Sequence, residues 1–405
     1  MTGALEPGVL NVRMYHPGFG DCFLLSFPVE QTHEHILIDC GAHTQGTLGN
    51  LPDIADDVAR TTGNRLVAVV ATHRHQDHIW GFERGLSKFK EMDIGEVWLP
   101  WLEDMSNDAA RELWKKHAKA LRALELRLTA APRESRAILG AVLANLKPNE
   151  VALKALNGHF GARHKVVQYL GTGSTDLRPE RVPGLTVKVL GPPRDAAFLK
   201  RMNPPKSESW ERFAEDGSPT VAEPIFEERF RWKPPKSFFA ADAVFDAVAR
   251  KAFDDAAIEE LDAAFKMEDA VNNSSLVLLF SFKGTGLLMV GDAQWGNWQS
   301  WIDQPRTGAL LDQVTLYKCG HHGSFNATPH SVVERLPEGV SVMMPTWGQK
   351  PFPTIPDAKL VAALQKRSGN RVVRNDAHGP VPNGFRRGAT DDQKVSWVDY
   401  SLKVG

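Results

Sequence analysis

Short apolar runs broken by turn residues open the chain. Val9–Tyr15 alternates, Gly18-Phe19-Gly20-Asp21 reads as a turn, and Cys22–Phe27 and His35–Ile38 read as two further strands, the second stopping at Asp39-Cys40-Gly41. A helix is expected over about Pro52–Thr61, followed by a buried strand, Leu66–Ala71, and another at Glu96–Pro100. From about Leu102 to Lys147 the spacing turns helical. Strands return at Lys165–Leu170 and Leu185–Leu190, and a polar, aromatic-rich stretch then runs to about Ser237, ahead of a helix over Ala240–Phe265. The last third alternates again: strands at Ser275–Phe282, Gly286–Val290, Gln313–Tyr317, Ser341–Met344, Arg371–Arg374 and Val395–Leu402, with a helix over Pro356–Arg367. Trp295, Trp298 and Trp301 stand at three-residue spacing, the signature of a helix face packed on a sheet.

Composition narrows the classes. A chain of 405 residues can bury a full core. Its 48 Lys and Arg against 49 Asp and Glu give a net charge of −1, so any polyanion must be met by a local patch. Cys22, Cys40 and Cys319 are too few and too scattered for a disulfide framework or a Cys-type zinc site and are expected reduced and buried. Without a signal-like start or a membrane-length apolar run, a soluble, cytoplasmic protein is expected, with no membrane partner.

The chemistry concentrates at Thr72-His73-Arg74-His75-Gln76-Asp77-His78, directly behind a buried strand. Alternate residues of an extended chain point the same way, so His73 and His75 can hold one ion together, while Asp77 and His78 can face a second once the chain turns. Imidazole with carboxylate suits zinc, manganese or iron. Asp39, Asp292 and His321-His322 also stand at the ends of apolar strands, and strand ends in layered α/β folds converge on one rim. Gly291 spares Asp292 a neighbouring side chain and lets that carboxylate approach closely. No Gly-x-Ser-x-Gly elbow suggests a serine nucleophile. His33 and His35 read as solvent-facing or packed, and His117, His159 and His164 as structural. His43 reads as a loop residue or a site lining, and Asn272 and Asn273 as strand-entry or site residues.

Asp39, the His73–His78 run, Gly291-Asp292 and a late His together resemble the metallo-β-lactamase-fold hydrolases. Closer still is the likeness to the metallo-hydrolase domain of ComEC-type DNA-uptake proteins and its stand-alone relatives. That likeness is carried by Gly18–Asp21, Asn272–Leu278, Lys318-Cys319-Gly320-His321-His322-Gly323-Ser324 and Arg374–Gly379, and it covers about 8–101, 166–193 and 270–380. The resemblance implies an α/β fold, a four-layer αββα sandwich with helical insertions, as one domain over 1–405 with insertions at about 102–165 and 194–270. It implies two divalent ions, zinc or manganese: His73 and His75 on the first, Asp77 and His78 on the second, Asp292 bridging, and His322 (less firmly His321) completing the shell. Asp77 and Asp292 are the implied catalytic carboxylates, and Asp39 would orient a ligating His. Two departures stand out. Asn272-Asn273 occupies the region where the superfamily carries a His, and Ile355-Pro356 replaces a His-Pro pair.

The expected function is a metal-dependent hydrolase acting on phosphodiesters, nuclease- or phosphodiesterase-like. The mixed basic and aromatic residues of 197–237 are either a nucleic-acid surface or a lid. Hydrolysis of small esters, thioesters, lactones or lactams is the alternative, and a non-catalytic partner-binding module the third reading.

Overall fold

The computed structural model describes residues 5–43, 50–130, 149–162, 166–201, 204–210, 271–347 and 355–405. The chain parts into two compact units, one formed by Met1–Asp104, Pro148–Glu211 and Val271–Gly405, the other by Met105–Lys147 and Arg212–Ala270. Both boundaries of the smaller unit lie inside the expected insertions. Its described element is one helix, Asp108–Ala130. Most of the basic and aromatic stretch, and the helix expected over Ala240–Phe265, lie outside the described residues.

The larger unit is built on two sheets. Strands β1 (Val9–Tyr15), β2 (Cys22–Val29), β3 (Thr32–Cys40), β4 (Arg65–Val70), β5 (Asp93–Pro100) and β6 (Val167–Leu170) join β13 (Phe385–Ala389) and β14 (Ser396–Lys403) in the first, ordered β13-β14-β1-β2-β3-β4-β5-β6. The second, ordered β12-β11-β10-β9-β8-β7, takes β7 (Thr186–Gly191), β8 (Val277–Phe282), β9 (Thr285–Met289), β10 (Val314–Lys318), β11 (Ser341–Met344) and β12 (Val372–Arg374). The first sheet is antiparallel across β13-β14-β1-β2-β3 and parallel across β3-β4-β5-β6; the second is antiparallel across β7-β8-β9 and parallel across β9-β10-β11-β12.

Period-two alternation sorts side chains into three buried layers. On β8, Leu278 and Phe280 join Val12, Phe23, Ile38, Val70 and Trp98 between the sheets, while Val277 and Leu279 face the other way. Outside the first sheet, Leu37, Leu66, Val69 and Val97 pack on Ile54 and Val58 of helix α1 (Leu51–Thr62), on Ile79 and Phe82 of α2 (Gln76–Arg84), and on Phe89 of α3 (Leu86–Glu91). Outside the second, Val290, Tyr317 and Val342 pack on Trp298, Trp301, Val332, Val333, Leu360 and Leu364 from three helices: Trp295–Ile302, His330–Arg335 and Ala358–Ser368. The architecture is therefore helix, sheet, sheet, helix, as expected, and Trp298 and Trp301 are core. Cys22, Cys40 and Cys319 are free and buried. Among the described residues no helix is long and apolar enough to cross a membrane.

Candidate metal centre

β3, β4, β9 and β10 all end at one rim, and each carries a polar residue just past its last apolar position. After β4, the chain bends at His73–Arg74 and α2 begins at Gln76, so His73 and His75 lie in the loop while Asp77 and His78 sit in the helix's first turn. The loop is pinned by Arg74, whose guanidinium donates twice to Glu103 at 3.0 and 2.6 Å, both side chains being buried. Gly41 lets the β3 end pass directly under the ligand turn, since a Cβ there would collide with the backbone of Asp77 and His78.

Four side chains converge. His78 Nε2 lies 3.1 Å from Asp292 Oδ2, His322 Nε2 lies 3.5 Å from the same oxygen, and His322 Nε2 lies 2.9 Å from Asp77 Oδ2. Donor atoms of Asp77, His78, Asp292 and His322 all fall within 4.8 Å of one another. Beside them, His73 Nε2 and His75 Nδ1 are 3.0 Å apart, and the His73 and His78 rings are 4.1 Å apart. Among the described residues His73 and His75 complete no group of three donors of their own; a second group is Asp21, Asp39 and His78.

The surrounding contacts fix orientation. Asp39 accepts from the Thr72 backbone N–H at 2.7 Å and from the Thr72 hydroxyl at 2.7 Å, and its Oδ2 lies 2.8 Å from His78 Nδ1, which leaves Nε2 facing the cluster. Asp39, His321 and His322 all have positive φ, at 54°, 42° and 54°. Strain of this kind gathers where the surroundings over-determine a residue's placement. His322 is held by Pro345 O, 3.1 Å from its Nδ1, and by the Phe19 ring, 4.2 Å centroid to centroid. His321 turns its Nδ1 toward Asn326 Oδ1 at 3.2 Å, while its backbone N–H donates to Asp292 Oδ1 at 3.1 Å.

Asn273 does a different job. Its Oδ1 accepts from the backbone N–H groups of Gln294 and Asn297, both at 3.1 Å, capping the helix Trp295–Ile302, and its amide donates to Arg201 O at 2.8 Å. Asn272 is buried. Asp357 N donates to Gly323 O at 2.8 Å, which sets the Ile355-Pro356 step beside the His321–Gly323 turn, and buried Ile355 supplies no ligand atom there. His35 packs against Ser26 and half-buried His33 against Val9 O. His43 N donates to Phe19 O at 2.7 Å. His159 is buried, and His164 and the His117 side chain lie outside the described residues.

Sequence reasoning passed over four residues. Asp21, read as part of a turn, is buried with Oδ1 3.5 Å from His322 Nδ1. Lys318 is buried with its ammonium 2.5 Å from Asp21 Oδ2. Ser275 Oγ accepts from Asp292 N at 3.0 Å and lies 3.3 Å from His73 Nδ1, and Thr72 bridges Asp39 to His73 and His78. A lysine closing an otherwise apolar strand (Val314–Lys318) was the available signal.

Burial lowers the affinity of His78 for a proton, yet Asp292, Asp21, Asp39 and Asp77 outweigh it and raise its pKa well above the ordinary imidazole value. His322 is raised the same way. His73 goes down, through burial and the neighbouring His78 and His75. Burial opposes ionisation of Asp77 and Asp292, but the adjacent histidines win and hold both below the usual carboxylate range. The cluster thus keeps its carboxylates charged and His73 neutral, whereas His78 and His322 favour the protonated form, so binding a metal ion there would release their protons.

The metallo-beta-lactamase superfamily profile matches residues 17–96, which span Asp21, Asp39 and the whole His73–His78 run. No curated protein matches the chain. The two sheets with their flanking helices are consistent with a metallo-β-lactamase fold.

Proposed function

We propose that this protein is a metal-dependent hydrolase whose tight ion is held by Asp77, His78, Asp292 and His322. One observation carries the reading. Ligands at about 2.0–2.1 Å from a tetrahedral ion stand roughly 3.3 Å from each other. Three of the six donor pairs here are separated by 3.1, 2.9 and 3.5 Å, and all six lie within 4.8 Å. His78 Nε2 is moreover buried and closes no hydrogen bond. Two imidazoles and two carboxylates suit zinc or manganese. Among the described residues His73 and His75 offer a second, two-donor position, weaker than the four-donor one.

A divalent ion held there would supply Lewis acidity and would make water nucleophilic near neutral pH. Asp77 is the ligand carboxylate most open to solvent, at 13% exposure of its side chain against 2% for Asp292. Its position at the open side places Asp77 to orient the attacking water. The Arg74–Glu103 pair and Asp39 keep the ligand loop in place for substrate.

The substrate class follows from the resemblance to ComEC-type metallo-hydrolase domains, together with the suitability of such a centre for phosphoryl groups: phosphodiesters, with nucleic acid as the polymeric candidate. The test is turnover of bis(p-nitrophenyl) phosphate and single-stranded DNA against p-nitrophenyl acetate and a lactone panel, with zinc and with manganese. Phosphodiester turnover that disappears in Asp292→Asn is expected. Turnover of the esters alone shifts the assignment to a small-ester hydrolase.

A further inference from the structure

Lys318 ends β10 with its side chain buried at 2% exposure, and its ammonium meets three oxygens. It lies 2.5 Å from Asp21 Oδ2 and 3.6 Å from Asp292 Oδ1, and it donates to the Gly291 carbonyl at 2.7 Å. Gly291 and Asp292 form the turn that presents the ligand carboxylate, and Gly291 is left-handed at φ 51°. The two oxygens of Asp292 are divided between partners. Oδ1 takes the His321 N–H at 3.1 Å and faces Lys318, whereas Oδ2 faces His78 and His322. Asp21, the third acid within reach, is occupied by the ammonium.

Resting on the metal-centre reading above, we infer that Lys318 is a positioning residue: its ammonium clamps the Gly291–Asp292 turn so that Asp292 offers Oδ2 alone to the ion, and it keeps Asp21 out of the ligand set. An ordinary buried counter-ion would touch one acid and could be removed together with it. Lys318 also holds a backbone carbonyl one residue from the ligand, so deleting the Asp21–Lys318 charge pair leaves the turn unclamped.

The sign of one comparison separates clamp from charge. Deleting a buried cation 3.6 Å from a ligand carboxylate should tighten binding of another cation by simple electrostatics. Loss of a clamp should weaken it, by about 10–100-fold if it behaves as other partners behind a ligand do. Zinc affinity is measured by chelator competition, and the Co(II) absorption spectrum is recorded, for wild type, Asp21→Asn, Asp21→Asn/Lys318→Met and Asp21→Asn/Lys318→Gln. The methionine variant should bind zinc at least 10-fold more weakly than Asp21→Asn and show a changed Co(II) spectrum. Glutamine, which can still donate to Gly291 O, should recover most of the loss. Equal or tighter binding in the methionine variant, with the Asp21→Asn spectrum, overturns the clamp while leaving the metal centre standing. If the methionine variant does not fold, the glutamine pair decides: affinity within about threefold of Asp21→Asn supports the clamp, and a folded protein weaker by more than 10-fold contradicts it. A wild type that binds neither ion overturns both the clamp and the centre.

Discussion

Gly291→Ala tests whether the turn before Asp292 is as tightly built as its surroundings imply. An added Cβ would stand 2.8 Å from Thr72 Cβ, 2.9 Å from Thr72 Oγ1 and 3.0 Å from Ser275 Cβ. None of these can retreat freely, because Thr72 is held on Asp39 and Ser275 Oγ accepts from Asp292 N. Two costs combine: about 1–2 kcal/mol for an L-residue at a left-handed φ, and about 1–3 kcal/mol for overpacking a filled site. Destabilisation of about 2–5 kcal/mol is expected, read as a shift in the urea midpoint of the metal-free protein at unchanged m-value. Zinc affinity should fall as well, since the strain is relieved by moving Asp292. Gly308→Ala is the control. It lies in the helix Thr307–Leu311 with nothing within 4 Å of a new Cβ, and it should stabilise by about 0.5–1 kcal/mol. A Gly291→Ala protein within about 0.5 kcal/mol of wild type, the ordinary range for surface substitutions, would refute the packing argument.

Four further outcomes follow from the same structure. Asp292→Asn should weaken zinc binding by more than the roughly 10–100-fold that losing an outer partner costs, and near-normal affinity by chelator competition would remove Asp292 from the ligand set. Replacing both His73 and His75 with alanine should abolish any second, weaker equivalent while sparing the tight one, as counted by isothermal titration. Glu103→Ala removes two charge-assisted hydrogen bonds from buried Arg74 and should cost about 1.5–3 kcal/mol by urea denaturation. His35 is pushed down to about 4, chiefly by burial, with His33 and Arg13 adding to it. Between pH 6.5 and 4 the unfolded chain therefore binds a proton that the folded one refuses, and stability falls as pH falls, by at most about 3 kcal/mol at full effect. His35→Gln should flatten that part of the stability–pH curve, and an unchanged slope would show that His35 does not set it.

Much of the fold was legible because period-two alternation and strand-end chemistry are local signals. Val9–Tyr15 and Ser341–Met344 coincide with their expected strands, and the run behind Leu66–Ala71 leads into α2. β3 extends beyond its apolar stretch because Thr32, His33 and Glu34 pair with Val29, Pro28 and Phe27, a ladder that needs no hydrophobic side chain. β13 escaped notice for a related reason: Phe385–Ala389 is an edge strand in which Phe385 alone is buried, so no run of apolar alternation marks it. At the site, His73–His78 announced itself by spacing. Asp21, Ser275 and Lys318 did not, since their roles arise only when the starts of β2 and β8 and the end of β10 meet at one rim. Asn273 looked like a site residue by position and instead caps a helix, a use of its amide that only the neighbouring backbone reveals.

The most direct measurement is the metal content and zinc affinity of the purified protein compared with His322→Ala and Asp77→Ala, by elemental analysis and chelator competition. One tight equivalent in the wild type, lost in both variants while the double His73, His75 alanine variant retains it, is the predicted result. Tight binding that survives in His322→Ala and Asp77→Ala but vanishes with His73 and His75 would contradict the four-donor centre.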